Sequence, residues 1–92
     1  MQHAKLKIIN PLGLHARAAS KLVSTATNFA SDIHLKNDQG IEADGKRIMS
    51  LLLLGAAVGS TIEIWTQGED ELAAMQALTA LINAGFDEMD SP

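Results

Sequence analysis

The side chains best suited to chemistry lie in the stretch NPLGLHARAASKL, where His15 is followed two positions later by Arg17. A neutral imidazole nitrogen is a good nucleophile near pH 7, because its unperturbed pKa is about 6.5. If His15 directly precedes a helix, the first backbone N–H groups of that helix have no internal partners and point outward. With the helix dipole they form an anion site suited to phosphate. A guanidinium at Arg17 can fork onto phosphate oxygens, and the positive end of a helix disfavours an adjacent imidazolium. Such a pair can accept a phosphoryl group and hold it near the surface. The plainer alternative makes His15 a weak cap and Arg17 a solvated helix residue. Short H-x-R matches are common, so spacing leaves both readings open.

Little else in the chain competes for a chemical role. His3 lies near one end, and His34 alternates with Ile33 and Leu35, which turns it to a strand surface. No H-x-x-x-H or H-E-x-x-H spacing occurs, so no metal or other cofactor is expected. Also missing are a phosphate-cradling Gly-rich loop with Lys and Ser, a G-x-S-x-G turn, and a carboxylate pair beside His15 in sequence. A site of this kind can take up and pass on phosphate, but it is poorly furnished to catalyse alone.

The elements that must position His15 follow from periodicity. KLKII alternates, with Leu6 and Ile8 opposite Lys5 and Lys7, which predicts a half-buried strand ended by Asn10-Pro11. From Ala16 the period changes: Ala16, Ala19, Leu22, Val23 and Ala26 form one helical face, ending between Thr27 and Ala30. SDIHLKN alternates again, NDQG is a turn, and IEA completes a hairpin. Asp44 and Gly45 can cap a short helix starting at Lys46, with Gly55 closing it. STIEIWTQ is a strand with Ile62 and Ile64 inward, which leaves Trp65 on the open face or under a loop. Glu69, Asp70 and Glu71 suit the start of a last helix with a stripe of Leu72, Met75, Leu78, Leu81 and Ile82. Gly85 then fits the left-handed position, and Phe86 can fold back on Leu81. The order is β-α-β-β-α-β-α, an α+β domain with helices covering one face of a sheet whose other face is wet. The domain is drawn over residues 1–88, and the end of DEMDSP, residues 89–92, is read as a frayed tail.

The bulk numbers fit that picture. Ninety-two residues make one small domain, 47% hydrophobic but only 3% aromatic, so its core is aliphatic. The absence of cysteine removes disulfides and fits a reducing compartment. A net charge of −4 argues against a general nucleic-acid binder. MQHAKLKIIN has no signal-peptide run, and IMSLLLLGAAV is far short of a membrane span of about 20 residues. The expectation is a cytoplasmic protein.

GLHARAASKL, then GKRIMSLLLLGA, GSTIEI and a helix ending INAGFDE together resemble the HPr family, the histidine-containing phosphocarriers of the bacterial phosphoenolpyruvate-dependent phosphotransferase system. The resemblance spans roughly residues 4 to 88. It implies an open-faced β-sandwich of four antiparallel strands with three helices on one face. It implies that His15 accepts a phosphoryl group on Nδ1 from phosphorylated Enzyme I and gives it to an EIIA protein or domain. Arg17 would assist, the Ala16 and Arg17 amides would hold the phosphate, and the carrier would act as a monomer without catalytic turnover of its own.

Two departures from the family pattern matter. Many members carry proline where Ala18 stands, and proline pre-shapes a first helical turn. Many carry a kinase-phosphorylated serine where Arg47 stands, so serine-kinase control of that kind is not expected. Ser50 lies nearby without aligning. The Arg47 departure points toward NPr, the nitrogen-related branch, without deciding between that branch and sugar transport. The resemblance also places partner docking on Ile48, Met49 and Leu52, with Lys21, Lys46 and Arg47 beside Arg17 as a basic rim that meets acidic partners. The same apolar residues can simply be core, for which Leu51 and Leu54 are better candidates. Two other functions are open. One is a regulatory module read by its phosphorylation state. The other is a small-molecule-binding ACT-type domain, against which the extra C-terminal helix counts.

Overall fold

A computed structural model describes residues 1–89. The strands are β1 (Gln2–Lys7), β2 (Asp32–Lys36), β3 (Glu42–Asp44) and β4 (Thr61–Gln67), and the helices are α1 (Ala16–Ala26), α2 (Ile48–Leu54) and α3 (Glu71–Asn83). A 3-10 turn at Gly85–Asp87 follows α3. The strands form one antiparallel sheet in the order β1-β4-β2-β3. This is the α+β open-faced arrangement expected, with three helices on one face. Among the described residues no helix is long and apolar enough to cross a membrane.

Strand alternation decides which face is covered. Ile33, Leu35, Ile62 and Ile64 point inward with Ile8 beyond the end of β1, and all are buried beneath the helices. Leu22 and Ala19 of α1, Leu51 and Leu54 of α2, and Leu78 and Ile82 of α3 complete the core with Phe86. The other face is open. There Trp65 sits half-buried between its cross-strand neighbours: the His3 ring stacks on it at 4.9 Å and 18°, and the His34 ring lies tilted at 5.6 Å. Trp65 is therefore on the wet face, not under a loop.

Several local expectations shift. Strand β1 begins at Gln2, three residues before the KLKII pattern. In α1 the buried face holds Ala18 and leaves Ala16 exposed. In α3 Ala74 is buried while Leu72 is 57% exposed, so Leu72 leaves the predicted stripe. Helix α2 starts at Ile48 rather than Lys46, because the Asp44 side chain accepts the Lys46 N–H at 2.9 Å and closes a turn ahead of the helix. Ser50 Oγ accepts the Asp44 N–H at 2.8 Å and ties that turn to the helix behind it. Gly55 ends α2 in the left-handed conformation, as expected.

The start of α3 is held by Asp70, whose carboxylate accepts the Ala30 and Ser31 N–H groups at 2.9 Å and the Ser31 hydroxyl. These bonds hold the Asp70 carboxyl below its ordinary range, the Ser31 hydroxyl contributing most. At its far end the chain enters the left-handed region at Gly85 (φ 63°) and stays there through Phe86 (φ 54°) and Asp87 (φ 59°). Burial of the Phe86 ring holds this run of unfavourable backbone in place. The turn runs through Asp87 to Glu88, the last residue of the predicted domain. Met89, placed in the predicted tail, also packs: its side chain lies where a Cβ on Gly85 would stand. The remainder of the predicted tail, residues 90–92, lies outside the described residues. Replacing Phe86 with alanine is expected to cost about 3–5 kcal/mol in stability by urea unfolding, the range for removing a fully buried aromatic ring. It should also release the turn that carries Glu88, seen as the loss of that residue's amide protection in hydrogen exchange.

Candidate functional site

The loop between β1 and α1 is held from within. The Asn10 side chain is fully buried and donates through Nδ2 to the Gly13 carbonyl at 2.8 Å, while the Gly13 N–H returns to the Asn10 carbonyl at 3.0 Å. Gly13 needs its positive φ of 67°, and a Cβ there would stand 2.6 Å from the Ala56 carbonyl oxygen. That same carbonyl accepts the Leu14 N–H at 2.8 Å, joining the loop to the segment after α2. Asn10 Oδ1 is buried with no partner among the described residues. Leaving one acceptor unpaired costs about 1–3 kcal/mol, offset in part by the two bonds that Nδ2 donates.

His15 emerges from this loop as the N-cap of α1. Its backbone is extended (φ −83°, ψ −177°) and its carbonyl accepts the Ala19 N–H at 2.8 Å, while ring Nδ1 faces the Arg17 N–H at 3.4 Å. Nδ1 is thus the acceptor nitrogen, aimed at the unpaired amides of the helix start. Nε2 lies 2.8 Å from Glu88 Oε2 and 3.0 Å from Oε1. An ionised carboxylate only accepts, so Nε2 carries the hydrogen. Asn10 Nδ2 donates to the same Glu88 at 3.0 Å, which links loop, imidazole and C-terminal turn in one network. The His15 side chain is 27% exposed and that of Glu88 only 9%. Glu88 is held below the ordinary carboxylate range chiefly by the hydrogen bond from His15, with Asn10 adding and burial opposing.

The predicted site residues divide. His15, Ala16 and Arg17 stand together at the helix start, with Ala16 and Arg17 exposed. The Arg17 guanidinium makes no ion pair among the described residues, whose salt bridges all lie elsewhere. Lys21 is half-buried and donates to the Phe86 carbonyl at 2.6 Å, so it holds the C-terminal turn against α1 as well as edging the site. Lys46 likewise donates to the Phe29 carbonyl at 2.8 Å. Arg47 is the freer cation, 3.9 Å from Asp44 and largely exposed. On α2, Met49 is 66% and Ile48 39% exposed, whereas Leu52 packs against the core. Leu53, 73% exposed, was not among the predicted docking residues. Glu88 was missed entirely: it is 73 residues from His15, in a run of acidic residues that reads as solvated chain.

A protein-family model described as the phosphorylation site of the PTS HPr component matches residues 2–84. The chain belongs to the HPr family. Among the relatives, the phosphocarrier protein HPr of Neisseria meningitidis serogroup A is 49% identical over 96% of this chain and 98% of its own. The phosphocarrier protein NPr of Escherichia coli K12 is 42% identical over 90% and 92%. The crystal structure of an HPr from Thermoanaerobacter tengcongensis superposes with a TM-score of 0.90 at 36% identity, covering 96% of this chain and 98% of that one. The HPr of Bacillus anthracis gives 0.83 at 33% identity over 88% and 95%. Both HPr and NPr relatives therefore span nearly the whole chain. Glu88 lies beyond the segment that the HPr family model matches.

The lowered folded-state value of Glu88 fixes the sign of a pH effect. Its contribution to stability is complete above the ordinary glutamate value, about 4.3, and is lost as pH falls through the lower folded one. Carbon-detected titration of the Glu88 carboxyl should give a midpoint below that ordinary value. In His15→Ala the midpoint should move up toward it.

Proposed function

We propose that the chain is a stoichiometric phosphocarrier of the phosphotransferase system, working in the cytoplasm, whose phosphoryl group is borne on Nδ1 of His15. Phosphorylated Enzyme I is the donor and an EIIA protein or domain the acceptor. The reading rests above all on the geometry of one ring: His15 caps α1 with Nδ1, the unprotonated nitrogen, facing the Arg17 amide. When Nδ1 takes the phosphoryl group, the Arg17 amide turns from the ring nitrogen to the phosphoryl oxygens and is joined there by its neighbour at Ala16. The exposed Arg17 guanidinium then forks onto the same oxygens. Membership of the HPr family supports the substrate.

The site has features of a relay rather than an enzyme. A phosphoryl group held by amides and one arginine at the surface stays within reach of the next acceptor. Arg47, Ile48 and Met49, all exposed on or beside α2, supply a mixed basic and apolar surface for partners, with Leu52 beneath them and Lys21 and Lys46 at its edge. Methionine fits a surface that meets more than one partner, because its side chain is flexible and polarizable. With Arg47 at the position where many family members carry serine, control by a serine kinase at that point is not available.

Incubation with phosphoenolpyruvate and Enzyme I should add the mass of one phosphoryl group, stable in base and lost in acid. His15→Ala should gain none. Arg17→Ala should be phosphorylated about ten- to a hundredfold more slowly, from the loss of a charge-assisted hydrogen bond worth about 1.5–3 kcal/mol. Unimpaired phosphorylation of His15→Ala would overturn the proposal.

A further inference from the structure

Glu88 has no part in the phosphorelay as just described, yet its carboxylate is nearly buried and pointed at the ring that carries the chemistry. We infer that Glu88 is a positioning residue, which takes the Nε2–H of His15 and so keeps the Nδ1 lone pair facing the phosphoryl donor. The inference rests on His15 being the phosphoryl acceptor and deepens that reading.

A neutral imidazole has one protonated nitrogen and one free one, and the hydrogen bond at one fixes the state of the other. Two observations agree on the assignment here. At Nε2 the one facing group among the described residues is a carboxylate, an acceptor, with both oxygens within 3.0 Å. At Nδ1 the facing group is an amide, a donor. The Nδ1–H tautomer would set N–H against N–H on one side and a lone pair against a carboxylate on the other.

The carboxylate is itself fixed. Asn10 Nδ2 donates to Oε1 from the loop that carries His15. Two residues before Glu88, the Phe86 ring is buried and its carbonyl accepts from Lys21 of α1. Glu88 is therefore tied on both sides to the structure that presents His15, and is not a surface side chain resting on it.

Glu88 also faces the charge that transfer creates. The Nδ1 lone pair forms the new N–P bond as the donor's bond to phosphorus breaks, and that electron pair stays with the donor. The His15 ring, substituted at Nδ1 and still bearing Nε2–H, becomes cationic. The positive charge is shared by the N–H that Glu88 accepts.

The test combines tautomer and rate. In ¹⁵N-labelled unphosphorylated protein, long-range ¹H–¹⁵N spectra should give His15 as the Nε2–H tautomer. Glu88→Ala should admit the Nδ1–H form and slow phosphorylation by phosphoenolpyruvate and Enzyme I on the order of tenfold, the scale of one charge-assisted hydrogen bond. Glu88→Gln keeps an acceptor oxygen, so it should retain the tautomer and lose less of the rate. A loss of packing alone would not be rescued in this graded way, and circular dichroism checks that each variant folds. An Nδ1–H ring in the wild type, or Glu88→Ala with unchanged tautomer and rate, would overturn the inference. A wild type that takes up no phosphate at His15 would instead sink the phosphocarrier reading, while the tautomer spectra would still judge Glu88.

Discussion

The structure turns on an imidazole held between a donor and an acceptor. The amino end of α1 offers the Arg17 amide hydrogen to Nδ1 of His15, and the C-terminal turn offers a carboxylate to Nε2. Either contact alone would leave the ring free to turn about its χ angles. Together they fix which nitrogen is bare and where it points. The Arg17 amide is free to face the ring because the first amides of a helix lack internal partners, and the Asn10–Gly13 turn delivers the chain to that point.

The rest of the fold supports that contact from a distance. The sheet and three helices share one aliphatic core, so the segment carrying His15 and the turn carrying Glu88 are locked to the same body. Lys21 spans the two directly through the Phe86 carbonyl. Among the described residues the open sheet face contributes nothing to the site: His3 stacks on Trp65, His34 lies tilted against it, and the two pair with Glu63 and Glu42. The exposed side chains of Arg17 on α1, of Met49 and Leu53 on α2, and of Arg47 just before α2 lie on the helical layer, away from that face.

Much of this was legible in the residues. Strands with one covered face write their burial into a period of two, so Ile62, Ile64, Ile33 and Leu35 could be assigned inward from alternation alone. His15 at the start of α1 followed from the change of period after Gly13. The helix faces were less certain where alanine carries them: Ala18 and Ala74 are buried, yet alanine differs too little in hydropathy from its neighbours to mark a face. Leu72 misled because an apolar residue in a helix's first turn can stay at the surface. The start of α2 was misplaced because Asp44 caps a turn and not the helix, a choice made by the tertiary bond to Ser50. Glu88 was out of reach, since no local pattern distinguishes a glutamate that crosses the fold from one that is merely solvated.

Spin coupling across the new N–P bond tests most directly which atom bears the phosphoryl group. In protein labelled with ¹⁵N in its histidine rings and phosphorylated by Enzyme I, the account predicts a ³¹P–¹⁵N coupling to Nδ1 of His15 alone. Coupling to Nε2 of His15, or to His3 or His34, would contradict it.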